Sequence, residues 1–210
     1  MQILERPSTV RGGAKETYRR RRVLAAALVA VLVAGAGWAT VAVLGSPTDG
    51  GGSWPAEPAT WSDVGVDDGF IKSGGAVSPF ADELPAIANL DVALRAAMQE
   101  AARAATADGV QFVVTSGWRS AAYQQVLFDD AVRTYASEEI ARQYVLGPEK
   151  SKHVTGHAVD IGRTDANSWL SQHGADYGLC QTYANEMWHF ELATSPGGEC
   201  PAQLSDATAG

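Results

Sequence analysis

Between Val23 and Leu44 the chain runs for 22 residues without a single charge (VLAAALVAVLVAGAGWATVAVL), directly after four consecutive arginines, Arg19 to Arg22. A helix of about 20 apolar residues crosses the roughly 30 Å hydrocarbon layer of a bilayer. Positively charged flanks stay on the cytoplasmic side. The segment therefore predicts a single transmembrane helix over 23–44, a basic cytoplasmic tail over 1–22, and a catalytic or binding region outside the cytoplasm after Gly45. The alternative is a cleaved secretory signal, whose apolar core is shorter, about 7–15 residues. Both readings export the rest of the chain to the outer face of the cell membrane.

Charge is divided the same way. Residues 1–22 carry seven Lys/Arg and two Glu, a net of 7 − 2 = +5, so the whole-chain value of −8 leaves −13 for the remainder. Nucleic-acid affinity is dominated by phosphate contacts from Lys and Arg, and an acidic exported region excludes that class of partner. The only two cysteines, Cys180 and Cys200, both fall in the exported part. In an oxidising compartment such a pair is expected to form a disulfide. A second metal site or a redox pair would call for Cys-x-x-Cys spacing, which is absent.

Residues 46–60 (SPTDGGGSWPAEPAT) are rich in Gly, Pro and Ser without apolar periodicity and read as a linker. Residues 61–84 are expected to form an arm lying on the domain, with Trp61, Val64, Val66 and Phe70 to bury. Together, 45–84 form the extracytoplasmic linker and arm. The domain proper is placed at 85–203, with a C-terminal tail over 204–210. Apolar residues at helical spacing from Leu90 (Leu94, Ala97, Met98, Ala101, Ala105) predict a helix capped by Asn89 or Asp91 and ended by Gly109. The β-branched stretch Val110 to Thr115 predicts a strand. Helices follow Ser120 and Ser137, residues 157–162 (HAVDIG) read as a strand, and a further helix starts near Asp165. Two more strands are expected at 179–183 and 187–192. Helices mixed with short strands predict a small α+β domain with a mixed or antiparallel sheet packed against helices.

Chemistry concentrates in two segments, Ser151-Lys-His153-Val-Thr-Gly156-His157-Ala-Val-Asp160 and Glu186-Met-Trp-His189, which hold three of the four histidines of the chain. A catalytic zinc takes three protein ligands from His, Asp or Glu and leaves a fourth position to water. A nearby carboxylate then moves the proton. The segments supply His153, Asp160 and His189 as ligands and Glu186 as the base. Asp160 lies between Val159 and Ile161, and an ionised carboxylate in an apolar strand needs a partner. That partner could be a metal, or simply Arg119 or Arg163. Glu186 and His189 would share a face on a helix but not on a strand. WHFEL reads as a strand, so Glu186 is expected in the turn before it. On residue types alone, packed histidines and an aromatic core strand remain an equally open reading.

These segments resemble the VanY-type D-alanyl-D-alanine carboxypeptidases, zinc peptidases of the hedgehog/DD-peptidase fold that trim peptidoglycan stem peptides. SKHVTGHAVD fits the pattern Ser-x-His-x-x-Gly-x-Ala-x-Asp, and EMWH fits Glu-x-Trp-His. Ser116-Gly117-Trp118-Arg119-Ser120 matches a Ser-Gly-Tyr-Arg-Ser turn, with Gln124 four residues on. The resemblance implies one Zn2+ per chain held by His153, Asp160 and His189, with Glu186 as general base and then acid. It implies that Arg119 steadies the developing oxyanion. Ser151, Gln124 and Ser116 become candidates for holding the terminal portion of the substrate. Trp118 stands where the family has tyrosine, so any part played by that hydroxyl is in doubt here. His157 falls at a position the pattern leaves free and is expected beside the site or in solvent. The implied partner is a peptidoglycan stem peptide ending in D-Ala-D-Ala, and the chain is expected to act as a monomer. An L,D-carboxypeptidase or an endopeptidase of the same fold is the alternative. A non-catalytic cell-wall binding module is the alternative from another class, and the presence of both Glu186 and Arg119 argues against it.

Overall fold

The computed structural model describes residues 59–72 and 74–209. The predicted membrane span at 23–44, the basic tail and most of the linker lie outside the described residues. Among the described residues no helix is long and apolar enough to cross a membrane.

The architecture is α+β. A four-stranded, wholly antiparallel sheet has the order β1-β2-β4-β3, formed by β1 (Val113–Ser116), β2 (Ala158–Gly162), β3 (Leu179–Gln181) and β4 (His189–Leu192). The helices are α1 (Pro85–Ala88), α2 (Val92–Ala107), α3 (Ala121–Tyr135), α4 (Glu138–Arg142) and α5 (Thr164–His173).

Local sequence sets most of these boundaries. The Asp91 carboxylate accepts from the Ala93 and Leu94 amides at 2.9 and 3.1 Å, capping α2. Ser120 caps α3 by accepting from the Tyr123 amide at 3.0 Å, and Ser137 caps α4 through Ile140 at 3.3 Å. The first strand begins later than the predicted Val110. The Val110 amide donates to Ala105 O and closes the end of α2. Phe112 turns inward against Trp169, and pairing with β2 starts only at Val113.

Strand periodicity divides the sheet into two unlike faces. Val114, Val159, Ile161, Phe190 and Leu179 point into one core with Leu94, Met98, Ala101 and Ala105 of α2 and Trp169 and Leu170 of α5. Phe190 is fully buried, which is worth about 1.5–3 kcal/mol for a side chain of its size. The alanines of α2 bury without bulk and let the helix lie close. Asp160, His189 and Glu191 alternate onto the opposite face. A smaller cluster, Phe128, Ala131 and Ala141, joins α3 to α4.

Packing extends beyond the expected domain limits of 85 and 203. Val77 bridges to Val114 of β1 through amide–carbonyl bonds of 2.9 and 2.8 Å. Ala81 is buried in the main core, with Ile71 and Leu84 against it. Trp61 and Phe70 both meet the Tyr123 ring edge-on, although Trp61 is itself 43% exposed. At the other end, Leu204 pairs in parallel with Tyr183. Cys180 and Cys200 form a disulfide.

Candidate metal centre

Asp160 of β2 and His189 of β4 stand directly opposite each other in the antiparallel register. Their carboxylate oxygen Oδ1 and ring nitrogen Nδ1 are 3.3 Å apart. His153 comes from the turn before β2, and its Nε2 lies 3.4 Å from the same Oδ1. All three residues are buried, and one donor atom from each falls within 4.8 Å of the others. Tetrahedral zinc with bonds of about 2.0–2.2 Å separates its ligand atoms by about 3.3–3.6 Å. The spacing and the nitrogen–oxygen–nitrogen donor set therefore fit a zinc ion.

The turn that carries His153 depends on two glycines. Gly156 has φ +74 and hands its carbonyl to the Asp91 amide at 2.9 Å, and a Cβ there would sit 2.5 Å from Asn89 O. Gly117 packs directly on the Ala86 carbonyl, where a Cβ would collide. Its own carbonyl is 2.8 Å from His153 Nδ1, which leaves Nε2 facing Asp160. His189 is oriented in the same manner. Its Nε2 is 3.2 Å from Glu191 Oε1, leaving Nδ1 for the centre. Partners of this kind fix the ring orientation of metal-binding histidines. The sequence reading missed Glu191, although a residue two after His189 on a strand necessarily shares its face.

β4 begins at His189, and Glu186 lies in the turn before it, as the sequence predicts. Its Oε2 is 3.7 Å from His189 Nδ1. Burial raises the Glu186 carboxyl to about 7, Asp160 adding to the rise and His189 and Arg119 partly offsetting it. The two histidines differ. Burial, with Arg119, lowers His153. Burial would lower His189 too, but bonds to Asp160 and Glu191 outweigh it and raise the ring to about 9. Asp160 resists burial through both histidines and Arg119, which hold it well below the usual carboxylate range.

Arg119 makes three side-chain bonds. Its guanidinium donates to Ser116 Oγ at 2.7 Å, Gln124 Oε1 at 2.9 Å and Asp160 Oδ2 at 3.1 Å. Asp160 thus turns one oxygen to the histidines and the other to Arg119, so the ion pair with Arg119 forms while the first oxygen stays on the side of the two rings. Arg163 pairs instead with Asp165. Gln124 is buried with its amide on Leu146 O at 2.7 Å and lines the cavity at the centre, and both it and Ser116 accept from Arg119. Ser151 is buried at the wall of a cavity of about 50 Å³ that also contains His153, Glu186 and His189. The Trp118 indole donates to Val154 O at 3.1 Å and packs on the core. His157 is exposed, its Nδ1 3.0 Å from Thr155 Oγ1. His173 sits away from the centre, beside Trp169.

Residues 88–196 match the family model described as VanY, D-alanyl-D-alanine carboxypeptidase. A D-alanyl-D-alanine carboxypeptidase of Enterococcus faecalis (strain ATCC 700802 / V583) is 29% identical over 126 residues, covering 48% of this chain and 47% of the relative. The chain thus spans about half the length of that curated relative. Among solved structures, a vancomycin-resistance D,D-pentapeptidase VanY in complex with Zn(II) is similar at 28% identity and TM-score 0.46, covering 49% of this chain and 71% of that one. An L,D-carboxypeptidase DacB from Streptococcus pneumonia is similar at 26% identity and TM-score 0.42, with coverage of 52% and 68%.

Proposed function

This chain belongs to the VanY family of D-alanyl-D-alanine carboxypeptidases, and we propose that it is a zinc metallopeptidase releasing the terminal D-Ala from peptidoglycan stem peptides that end in D-Ala-D-Ala. The observation that carries the reading is the buried His153, Asp160, His189 cluster, with both rings 3.3–3.4 Å from one Asp160 oxygen and a carboxyl, Glu186, beside it.

Zinc held by the triad supplies a Lewis acid and lowers the pKa of its water to about 7. Glu186, raised into the same range, takes the proton of the attacking water and returns it to the leaving amine. A carboxyl poised near the working pH suits both transfers. Arg119 holds Asp160 in place, and as the cation of the site it would steady the developing oxyanion. Ser151, at the cavity wall, would accept the terminal portion of the substrate.

The uncharged run at 23–44 would anchor the chain in the cell membrane with the peptidase outside. The Cys180–Cys200 disulfide supports an oxidising, extracytoplasmic location.

The test uses the full-length chain and a synthetic pentapeptide stem, with products followed by mass spectrometry. The expected outcome is loss of one D-Ala, abolished by chelation and restored by zinc. Glu186→Ala should lower turnover by about 10²–10⁴ while one zinc per chain is retained. Cleavage inside the stem with no D-Ala released would point to an endopeptidase, and unchanged turnover in Glu186→Ala would remove that residue from the mechanism.

A further inference from the structure

The C-terminal segment lies beyond the family-matched residues, which end at 196, yet it forms part of the cavity wall at the metal centre. Its path is fixed to the domain at two points and ends in a local turn. The disulfide ties Cys200 to Cys180 of β3. The Leu204 amide donates to Thr182 O at 2.9 Å, and the Ala184 amide donates to Leu204 O at 2.8 Å. The Asp206 carboxylate then accepts from the Thr208 amide at 2.8 Å, closing a final turn over Ala207–Ala209. That turn brings Ala207, 7% exposed, to the wall of the cavity that contains Ser151, Glu186 and His189.

The remaining space is small. A cavity of about 50 Å³ holds roughly four water-sized groups at about 10–15 Å³ each. Ala207 borders that space, so a larger side chain on the last residue of a substrate entering it would press on this wall. We propose that the strap 201–209 sets the substrate specificity of this enzyme, with Ala207 as the wall that restricts cleavage to a small terminal residue. The proposal rests on the carboxypeptidase reading above and adds to it the element that excludes larger ends. The disulfide and the Leu204 bridge hold the wall against a substrate pushing on it, which one small side chain on a free tail could not do.

The test compares three forms of the full-length protein: the intact chain, a chain ending at Gln203, and Ala207→Trp. Each is given two stem peptides that differ only in the last residue, D-alanine or D-phenylalanine, and zinc per chain is measured in parallel. The intact chain should favour the D-alanine end by at least tenfold in kcat/KM. The shortened chain should lose at least tenfold of that preference while keeping its zinc. Ala207→Trp should lose at least tenfold in kcat/KM on the D-alanine end, again with zinc retained. An unchanged preference in the zinc-loaded shortened chain overturns the proposal. If the shortened chain holds no zinc, Ala207→Trp decides, and wild-type kcat/KM in that variant overturns it. Failure of the intact chain to release any D-Ala would instead sink the carboxypeptidase reading, and the strap proposal with it.

Discussion

Replacing Glu191 should weaken zinc binding without touching a ligand. Glu191 lies on β4 two residues after His189 and faces the ring nitrogen that does not point at Asp160. Its side chain is 15% exposed, so solvent screens the contact only slightly. Loss of an outer partner of this kind typically reduces metal affinity 10–100-fold, or about 1.4–2.7 kcal/mol. The two obvious substitutions should divide that range. Glu191→Gln keeps an oxygen acceptor for the imidazole N–H and removes only the charge, so it belongs near tenfold. Glu191→Ala leaves a buried N–H without an acceptor, which itself costs about 1–3 kcal/mol, and belongs near a hundredfold. Competition with a chromophoric chelator at fixed pH gives the zinc Kd of both variants. Glu199→Gln, at an exposed position, serves as a control for overall charge. Wild-type affinity in Glu191→Ala would show that the ring is held by the backbone of β4 alone, and the reasoning would fail.

Other expectations follow from the same structure. Joint replacement of Cys180 and Cys200 by serine opens a loop with sequence separation 20, for which the chain-entropy relation gives about 3 kcal/mol; a thermal melt should fall by about 6–12 °C, and no shift would show that the strap and β3 are held together by other contacts. Gly156→Ala forces a side chain into a left-handed conformation and onto Asn89 O; it should cost more than about 1 kcal/mol by chemical denaturation and lower zinc occupancy through His153, and a neutral result would mean the turn can shift freely. Saturating zinc at a hundred times its Kd should raise unfolding stability by about 2.7 kcal/mol over the chelated protein, a gain that Asp160→Ala should largely lose.

What the sequence made legible was whatever depended on near neighbours. The starts of α3 and α4 were readable because Ser120 and Ser137 cap amides three residues away. β2 was readable because its β-branched residues alternate about Asp160. The turn position of Glu186 followed from the onset of the next strand. The supporting contacts were less legible because their partners are remote in the chain. Gln124 reaches Leu146 O across a helix and a loop. Val77 finds Val114, and Ala207 finds the metal cavity only through the path imposed by Cys200 and Leu204. Nothing in an Ala-Thr-Ala stretch marks it as the wall of a site. The late onset of β1 has a related cause. Val110 to Phe112 have strand-forming character, but the helix end and the core claim them before the sheet does.

The pairing of Asp160 with His189 across β2 and β4 also bears on how such a chain can diverge. Because strand side chains alternate, one residue inserted or deleted in either strand would carry a donor from the metal side to the apolar side. It would bury a carboxylate or an imidazole among Val159, Ile161 and Phe190 in the same step. Changes of length are therefore intolerable within 158–162 and 189–192. The turn at 195–199 lies outside both strands and is largely exposed, so insertions there would leave the frame of the site intact. Related chains should vary in length at such turns and keep these two strands in phase.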